Sequence, residues 1–485
     1  MVVFSARRVL VAAASALVAS VLAGCGGHAA GDWPLPNGDL AGTRAAAHAR
    51  LDAANVRHLQ ARWRFRFKAK RSFSGIFAST PVVDKGTVYV QDLRSNVFAL
   101  DRASGALRWA RRYNVQNDGP NGLAVVGERV YGATDSEAFA LDAGTGRELW
   151  RRHLTSISEQ LVDVAPIVWK GSVFVSTIGY PPLGRGAIYA LDAATGAVRW
   201  KFVTIPRPWR YPQEAGGGGL WYPVSIDAGG RLYAGNSNPA PWGGTKKRPN
   251  GGAFPGPALY TDSLLVLDAR SGRLLWYDQV TPHDVRDHDF EATPVLAGSR
   301  VIGAGKAGLV IAWDRETKRR LWTARVGLHR SDAGPLPTRK VGVCPGLLGG
   351  VETPMAYTDG RVFVPVVDLC FPESAVTTTR VDSVDPSSGK GLIAALDATT
   401  GKRLWTRRFP SPDFGCATVA NDVVFTSTFD GTVYGLSVED GSVLWQAKLR
   451  AGVNSCPAIA GDQLLIGAGV PRDGSVEELV AFGLS

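Results

Sequence analysis

Apolar and polar positions alternate in short runs along this chain, and no stretch of useful length shows helical periodicity. One pattern recurs. Phe98-Ala99-Leu100-Asp101 is followed by Ser104-Gly105 and Trp109, Phe139-Ala140-Leu141-Asp142 by Thr145-Gly146 and Trp150, and Tyr189-Ala190-Leu191-Asp192 by Thr195-Gly196 and Trp200. The tag returns at Asp268/Trp276, Asp314/Trp322 and Asp397/Trp405, and with serine for aspartate at Ser437/Trp445, always eight residues apart. The alternating run makes a strand, the aspartate accepts backbone N–H groups at its end, and glycine supplies the positive φ of a tight turn. A second strand then ends in tryptophan, whose ring can bury about 150–250 Å², worth at most roughly 4–6 kcal/mol. One ring per repeat is thus a wedge between neighbouring units. Two more strands precede each tag, Pro81-Val82-Val83 and Val88-Tyr89-Val90 in the first unit, separated by Asp84-Lys85-Gly86. Four short antiparallel strands every 40–45 residues or so predict a β-propeller.

The ends predict how the ring shuts. Trp63 precedes the first complete tag, and the strand Leu479-Val480-Ala481-Phe482 has no tryptophan after it. Counting Trp63, Trp109, Trp150, Trp200, Trp276, Trp322, Trp405 and Trp445 gives eight blades, the last completed by the N-terminal strand. Such closure removes exposed edges. Successive tag tryptophans lie 46, 41, 50, 76, 46, 83 and 40 residues apart. The two long gaps, 201–275 and 323–404, are rich in Gly and Pro, the first also in Trp, and are where chemistry is expected on a rigid scaffold.

Residues 1–24 read as a leader rather than fold. Arg7 and Arg8 precede an uncharged apolar run, Val9 to Leu22, too short for a convincing span. It ends in Leu22-Ala23-Gly24-Cys25, which resembles a bacterial lipobox, so Cys25 is the expected lipidation site; plain secretion with an unmodified cysteine is the alternative. Twin-arginine export stays open. The expected division is leader 1–24, lipid-anchored segment 25–57 and propeller 58–485, outside the cytoplasm and on the membrane by its lipid only. The net charge is +11, and +9 without the leader. Part of the excess clusters in Arg62, Arg64, Arg66, Lys68, Lys70 and Arg71, which alternate with aromatics as one solvated strand face. An exported protein rarely meets nucleic acid, so none is expected as a partner. Four cysteines remain, allowing three pairings. Cys416 and Cys456 hold equivalent places at the starts of successive inner strands, which converge near the axis. That favours Cys416–Cys456 and leaves Cys344–Cys370. The chain has no CxxC or CxxCH, which argues against a zinc ribbon and against covalent haem.

The tag resembles the tryptophan-docking motif of pyrroloquinoline-quinone (PQQ) enzymes, and Trp33 through Asn55-Val56 and Leu59 to Trp63 resembles the opening of quinoprotein alcohol dehydrogenases. Trp200-Lys201-Phe202-Val203-Thr204-Ile205-Pro206 resembles that family's segment after the third tag. The resemblance implies an all-β, eight-bladed propeller of quinoprotein type. It also implies site residues. Gly218-Gly219-Leu220-Trp221 resembles the segment whose tryptophan underlies the quinone ring. Asn236 to Trp242 resembles the calcium-ligand loop, with Asn238 on the ligand. Thr281 to Asp287 resembles the catalytic-base segment, with Asp287 on the base, which also neighbours the metal. Lys306 falls where a cation meets the quinone carbonyls. The implied cofactors are PQQ and Ca²⁺, the implied reaction is oxidation of a small alcohol or sugar, and electrons would pass to a separate acceptor.

The sequence departs from that pattern. Pro181 and Pro182 stand where the family's glutamate ligand should precede Leu183-Gly184-Arg185-Gly186, and no two cysteines are adjacent. Asn121 replaces an arginine, and Glu352-Thr353 replaces an Asn-Trp. Each site residue also has a plain reading: Trp221 as core, Asn238 as a turn starter, Asp287 in a solvated acidic loop, Lys306 as a surface lysine. His283, Asp284, Asp287, His288, Asp289 and Glu291 form the densest ligand-type cluster. Gly303-x-Gly305-x-x-Gly308 is not a dinucleotide fingerprint, because a strand follows where a helix is required. Two functions remain in view: an oxidoreductase with an altered calcium site, and a non-catalytic scaffold for envelope proteins.

Overall fold

The computed structural model describes residues 31–46, 48–68, 75–206, 210–375, 384–472 and 474–484. Cys25, the leader, and Lys70 and Arg71 lie outside them. Eight antiparallel four-stranded sheets form the ring, one carrying a short extra strand. The first blade comprises Val82–Asp84, Thr87–Gln91, Val97–Asp101 and Leu107–Arg111, in that order from the inside outward. The eighth takes Ala458–Ala460, Gln463–Ala468 and Glu478–Leu484 from the C-terminal end and Leu59–Arg66 from the N-terminal end, with Trp63 opposite Ala481. Ring closure is therefore as the sequence predicts. Among the described residues no helix is long and apolar enough to cross a membrane.

The tags work as their chemistry suggests. Asp142 Oδ1 accepts the N–H and hydroxyl of Thr145 at 2.9 and 2.7 Å, and Asp101, Asp192, Asp268 and Asp397 repeat this. Seven of the eight wedge tryptophans donate the indole N–H to the next blade, among them Trp109 to Ala143 O at 2.9 Å, Trp150 to Ala193 O at 3.0 Å and Trp200 to Ala269 O at 3.0 Å. The last, Trp445, reaches Leu59 O at 3.2 Å. The tag glycine does two jobs. Its φ is near +71°, and a Cβ at Gly146 would fall 2.5 Å from the Trp109 ring.

One joint departs from the rule. The fifth tag carries Lys318, at φ +64°, where the others carry glycine. Trp276, which should dock there, keeps a buried Nε1 without a partner. Ion pairs bind that joint instead: Asp227 to Arg315 at 2.5 Å, Arg231 to Glu316 at 2.8 Å and Asp278 to Arg320 at 2.5 Å.

A belt closes one end of the axis. Trp33 donates to Val83 O, and Pro34, Leu40, Ala41, Thr43 and Arg44 carbonyls accept from Val125, Ile226, Leu296, Tyr357 and Val419; Arg50 donates to Gly461 O. These contacts touch the inner strands, or their ends, in seven of the eight blades. Arg44 is fully buried, and its guanidinium donates to the carbonyls of Pro36, Ala417 and Pro457, to Asn37 Oδ1 and to Thr418 Oγ1. Burial pulls its pKa down to about 9. The long insertions emerge at the opposite end. The Cys344–Cys370 disulfide, Cα–Cα 4.5 Å, ties the two loops of the second insertion together; Cys416–Cys456, Cα–Cα 5.0 Å, joins the entries of the last two blades.

Trp150→Ala should destabilise the protein by about 3–5 kcal/mol in denaturant unfolding. Lys318→Gly, by relieving a left-handed side chain, should stabilise it by about 1 kcal/mol.

Candidate functional site

The fourth and fifth blades bring the site together at the end of the axis opposite the belt. Asn238 follows the second strand of the fourth blade, Arg231–Asn236, and Asp287 lies in the loop entering the fifth. Lys306 sits in the tight turn between Arg300–Ala304 and Leu309–Asp314. Close backbone packing places that turn. A Cβ at Gly305 would lie 2.0 Å from Asp289 O, and one at Gly350 would lie 2.1 Å from Lys306 O. Lys306 N–H also donates to Asp289 O at 2.9 Å. Only glycine permits this approach, so the spacing of Gly305 and Gly350 seats the lysine between two loops.

Three of the expected residues meet. Asn238 donates through Nδ2 to Asp287 Oδ1 at 2.7 Å, and Lys306 Nζ lies 3.0 Å from Asp287 Oδ2. Lys306 also lies 2.6 Å from Asp289 Oδ2, and Asn238 N–H donates to Asp289 Oδ1 at 2.7 Å. None is a surface group: Lys306 is 6%, Asp287 4% and Asp289 1% exposed. Asp287 holds φ +63°, uncommon for a residue with a Cβ and a form of local strain often found at working sites. Asp284 shapes the loop by accepting from Arg286 N–H and His288 N–H, both 2.8 Å. His283 is exposed and turns to Asn250 O at 2.9 Å, outside the cluster. Trp221 is half-buried with no hydrogen bond to the other three; its neighbour Tyr222 lies within the electrostatic reach of Glu291, Glu352 and Lys306.

The electrostatics are lopsided. Burial raises Asp287, and Lys306 opposes it; burial also raises Asp289 and, strongly, Glu291. Glu352 is pushed up to about 8 by burial, which the Lys306 charge only partly offsets. Burial works against the Lys306 ammonium, yet Asp287, Asp289, Glu291 and Glu352 outweigh it and hold the pKa well above the usual lysine value. Asp163 and Asp413, also buried, are pushed up to about 8, Asp163 by burial reinforced by Asp118, and Asp413 by burial against a hydrogen bond from Thr426. At neutral pH several of these carboxyls are therefore neutral acids.

Sequence reasoning missed Asp163, Asp262 and Asp413. Asp163 and Asp413 stand four or five residues ahead of an inner strand, as do Glu291 and Glu352, so superposing the repeats exposes them. Asp262, fully buried with neither carboxyl oxygen hydrogen-bonded, has no such signal. Pro181-Pro182 occupies the loop where a carboxylate was expected, and the neighbouring Tyr180 lies within the electrostatic reach of Asp163, Asp118, Asp289 and Asp287. Among the described residues no three His, Cys, Asp or Glu side chains are placed to hold a metal ion.

A family model described as outer membrane protein assembly factor BamB matches residues 48–239 and 373–481, and one described as the β-propeller domain of glucose/ethanol/alcohol dehydrogenases matches 158–324. The quinohemoprotein alcohol dehydrogenase of Comamonas testosteroni is 27% identical over 88% of this chain and 70% of its own length. The lanthanide-dependent methanol dehydrogenase of Methylacidiphilum fumariolicum is 26% identical over 88% of this chain and 82% of its own. The crystal structure of the Comamonas enzyme superposes with a TM-score of 0.81 at 23% identity, covering 94% of this chain and 80% of that one, a likeness of fold.

The raised carboxyls set a pH dependence. Between the ordinary carboxyl range near 4 and about 8 the folded protein holds a proton on Asp413 that the unfolded chain has released. Stability therefore falls as pH rises through that window, by about 1.4 kcal/mol per pH unit for one such group. Asp413→Asn should flatten the fall in melting temperature between pH 5 and pH 8; an unchanged slope would show that Asp413 ionises normally.

Proposed function

The chain belongs to the PQQ-dependent alcohol dehydrogenase-like β-propeller family, and from that premise we propose that it is an extracytoplasmic oxidoreductase for a small alcohol or sugar, with an altered calcium site. The observation that carries this is the buried contact of Asn238, Asp287 and Lys306 at the end of the axis opposite the belt.

The residues present fit the cofactors in kind. Asn238 uses Nδ2 on Asp287, leaving Oδ1 as the donor available to a hard cation such as calcium, and Asp287 and Asp289 add carboxylates. The half-buried Trp221 and Tyr222 offer aromatic faces to a flat ring. PQQ carries three carboxylates, and neutral Asp163 and Glu352 would donate to such an anion rather than repel it. When bound, PQQ supplies a hydride acceptor. The chain's own residues supply the rest. Asp287 takes the alcohol proton, Lys306 opposes the burial that would keep Asp287 protonated, and Asn238 fixes the carboxylate's orientation. With no haem motif in the chain, the electrons pass to a separate acceptor. Cys25 would carry a lipid and hold the protein at the outer face of a bacterial membrane.

Pro181-Pro182, in place of the expected carboxylate, favours a second reading, a cofactor-free scaffold that docks envelope proteins.

The soluble chain from residue 26, given PQQ and Ca²⁺, should show a bound-quinone absorbance change and alcohol-dependent dye reduction. Asp287→Asn should lower the reduction rate by about 10²-fold or more while the absorbance change persists. No absorbance change and no reduction would leave the scaffold reading.

A further inference from the structure

Beside the outer strand of the third blade, Val198–Val203, lies a separate groove of about 280 Å³, lined among others by Ile157, Leu183, Arg185, Lys201, Val203 and Pro212. Its walls are apolar where solvent would favour polar groups: Leu183 is 46% and Ile157 37% exposed. Leu183 is also held at φ +65°, a left-handed conformation that is strained for a leucine. Loop slack does not explain this. Leu183 N–H is shared between Pro212 O and Ala215 O, each at 3.0 Å. The next residue, Gly184, is so tightly enclosed that a Cβ would fall 2.3 Å from both Glu159 O and Tyr180 O. The fold thus holds an exposed leucine in a strained conformation at the lip of a groove.

The groove's charge is one-sided. Arg185 makes only a long 3.4 Å contact with Ile205 O, and the Lys201 ammonium lies over the Tyr189 ring at 5.0 Å. Among the described residues no carboxylate lines the groove. Gln160 pins the floor, accepting from Ser156 N–H at 2.8 Å and donating to Arg185 O at 2.7 Å.

We infer that this groove binds a small monoanion with an apolar body, such as a medium-chain or aryl carboxylate, its tail against Leu183 and Ile157 and its charge between Arg185 and Lys201. The site is distinct from the axial cluster and does not depend on any cofactor there. A groove of this size lies at the lower limit of small-molecule pockets, and a ligand of about twenty heavy atoms would bind with Kd on the order of tens of micromolar.

The probe is 8-anilinonaphthalene-1-sulfonate, an aromatic anion whose emission rises on apolar contact. The cofactor-free protein should bind it saturably at one site, octanoate should displace it, and uncharged octanol should not. Lys201→Glu, on an exposed outer strand, should weaken binding tenfold or more with an unchanged melting temperature, and Leu183→Asp should do the same. Saturable binding with both effects supports the site. Unsaturable fluorescence, equal displacement by octanol, or an unchanged Kd in Lys201→Glu overturns it, whatever PQQ does at the axis.

Discussion

The indole-to-carbonyl bond that joins blade to blade at seven of the eight joints is the contact on which the rest of the molecule depends. A four-stranded sheet of this size has two open faces and cannot bury them alone; it becomes stable only between two neighbours. The tag solves the problem locally. Its aspartate closes the turn, its glycine lets the preceding tryptophan ring lie flat against the backbone, and the ring's N–H fixes the distance between blades. Because the same unit repeats around a closed circle, small errors in one joint would accumulate into failure of closure. The pairing of Leu59–Arg66 with the final strand, and the belt from Trp33 to Arg50, hold the circle from its rim and from its axis.

The architecture was legible because it is periodic. Eight residues from aspartate, or once serine, to tryptophan, repeated seven times, leave little freedom, and the unpaired Trp63 and the last strand point to each other. The belt was not legible. Its bonds to seven blades are made by backbone groups of an irregular segment, and a run such as Pro34 to Arg44 carries no period to read. Lys318 could have been read as an exception within its tag, but not its consequence, since the loss falls on Trp276 in another blade.

The candidate site was half legible. Asn238, Asp287 and Lys306 came from resemblance, and their contact is a matter of three loops meeting. What sequence could not supply is the balance of charge. Lys306 is the one lysine head buried among Asp287, Asp289, Glu291 and Glu352, and burial leaves several of these acids protonated rather than paired. Protonation is a property of the assembled interior, set by which groups lose water together, and no local motif encodes it.

The joint between the fourth and fifth blades has a consequence of its own. Elsewhere the ring is fastened chiefly by indoles, which dissolved salt does not weaken. Here the fasteners are Asp227–Arg315, Arg231–Glu316 and Asp278–Arg320, and these side chains keep between 6% and 74% of their surface in water. Mobile ions screen such pairs. Asn238 and Asp287 stand on the two sides of this same joint. This joint, which lacks its indole bond and relies on ion pairs, is therefore the one whose fastening leans most on charge, and it is the joint that the Asn238–Asp287 contact spans.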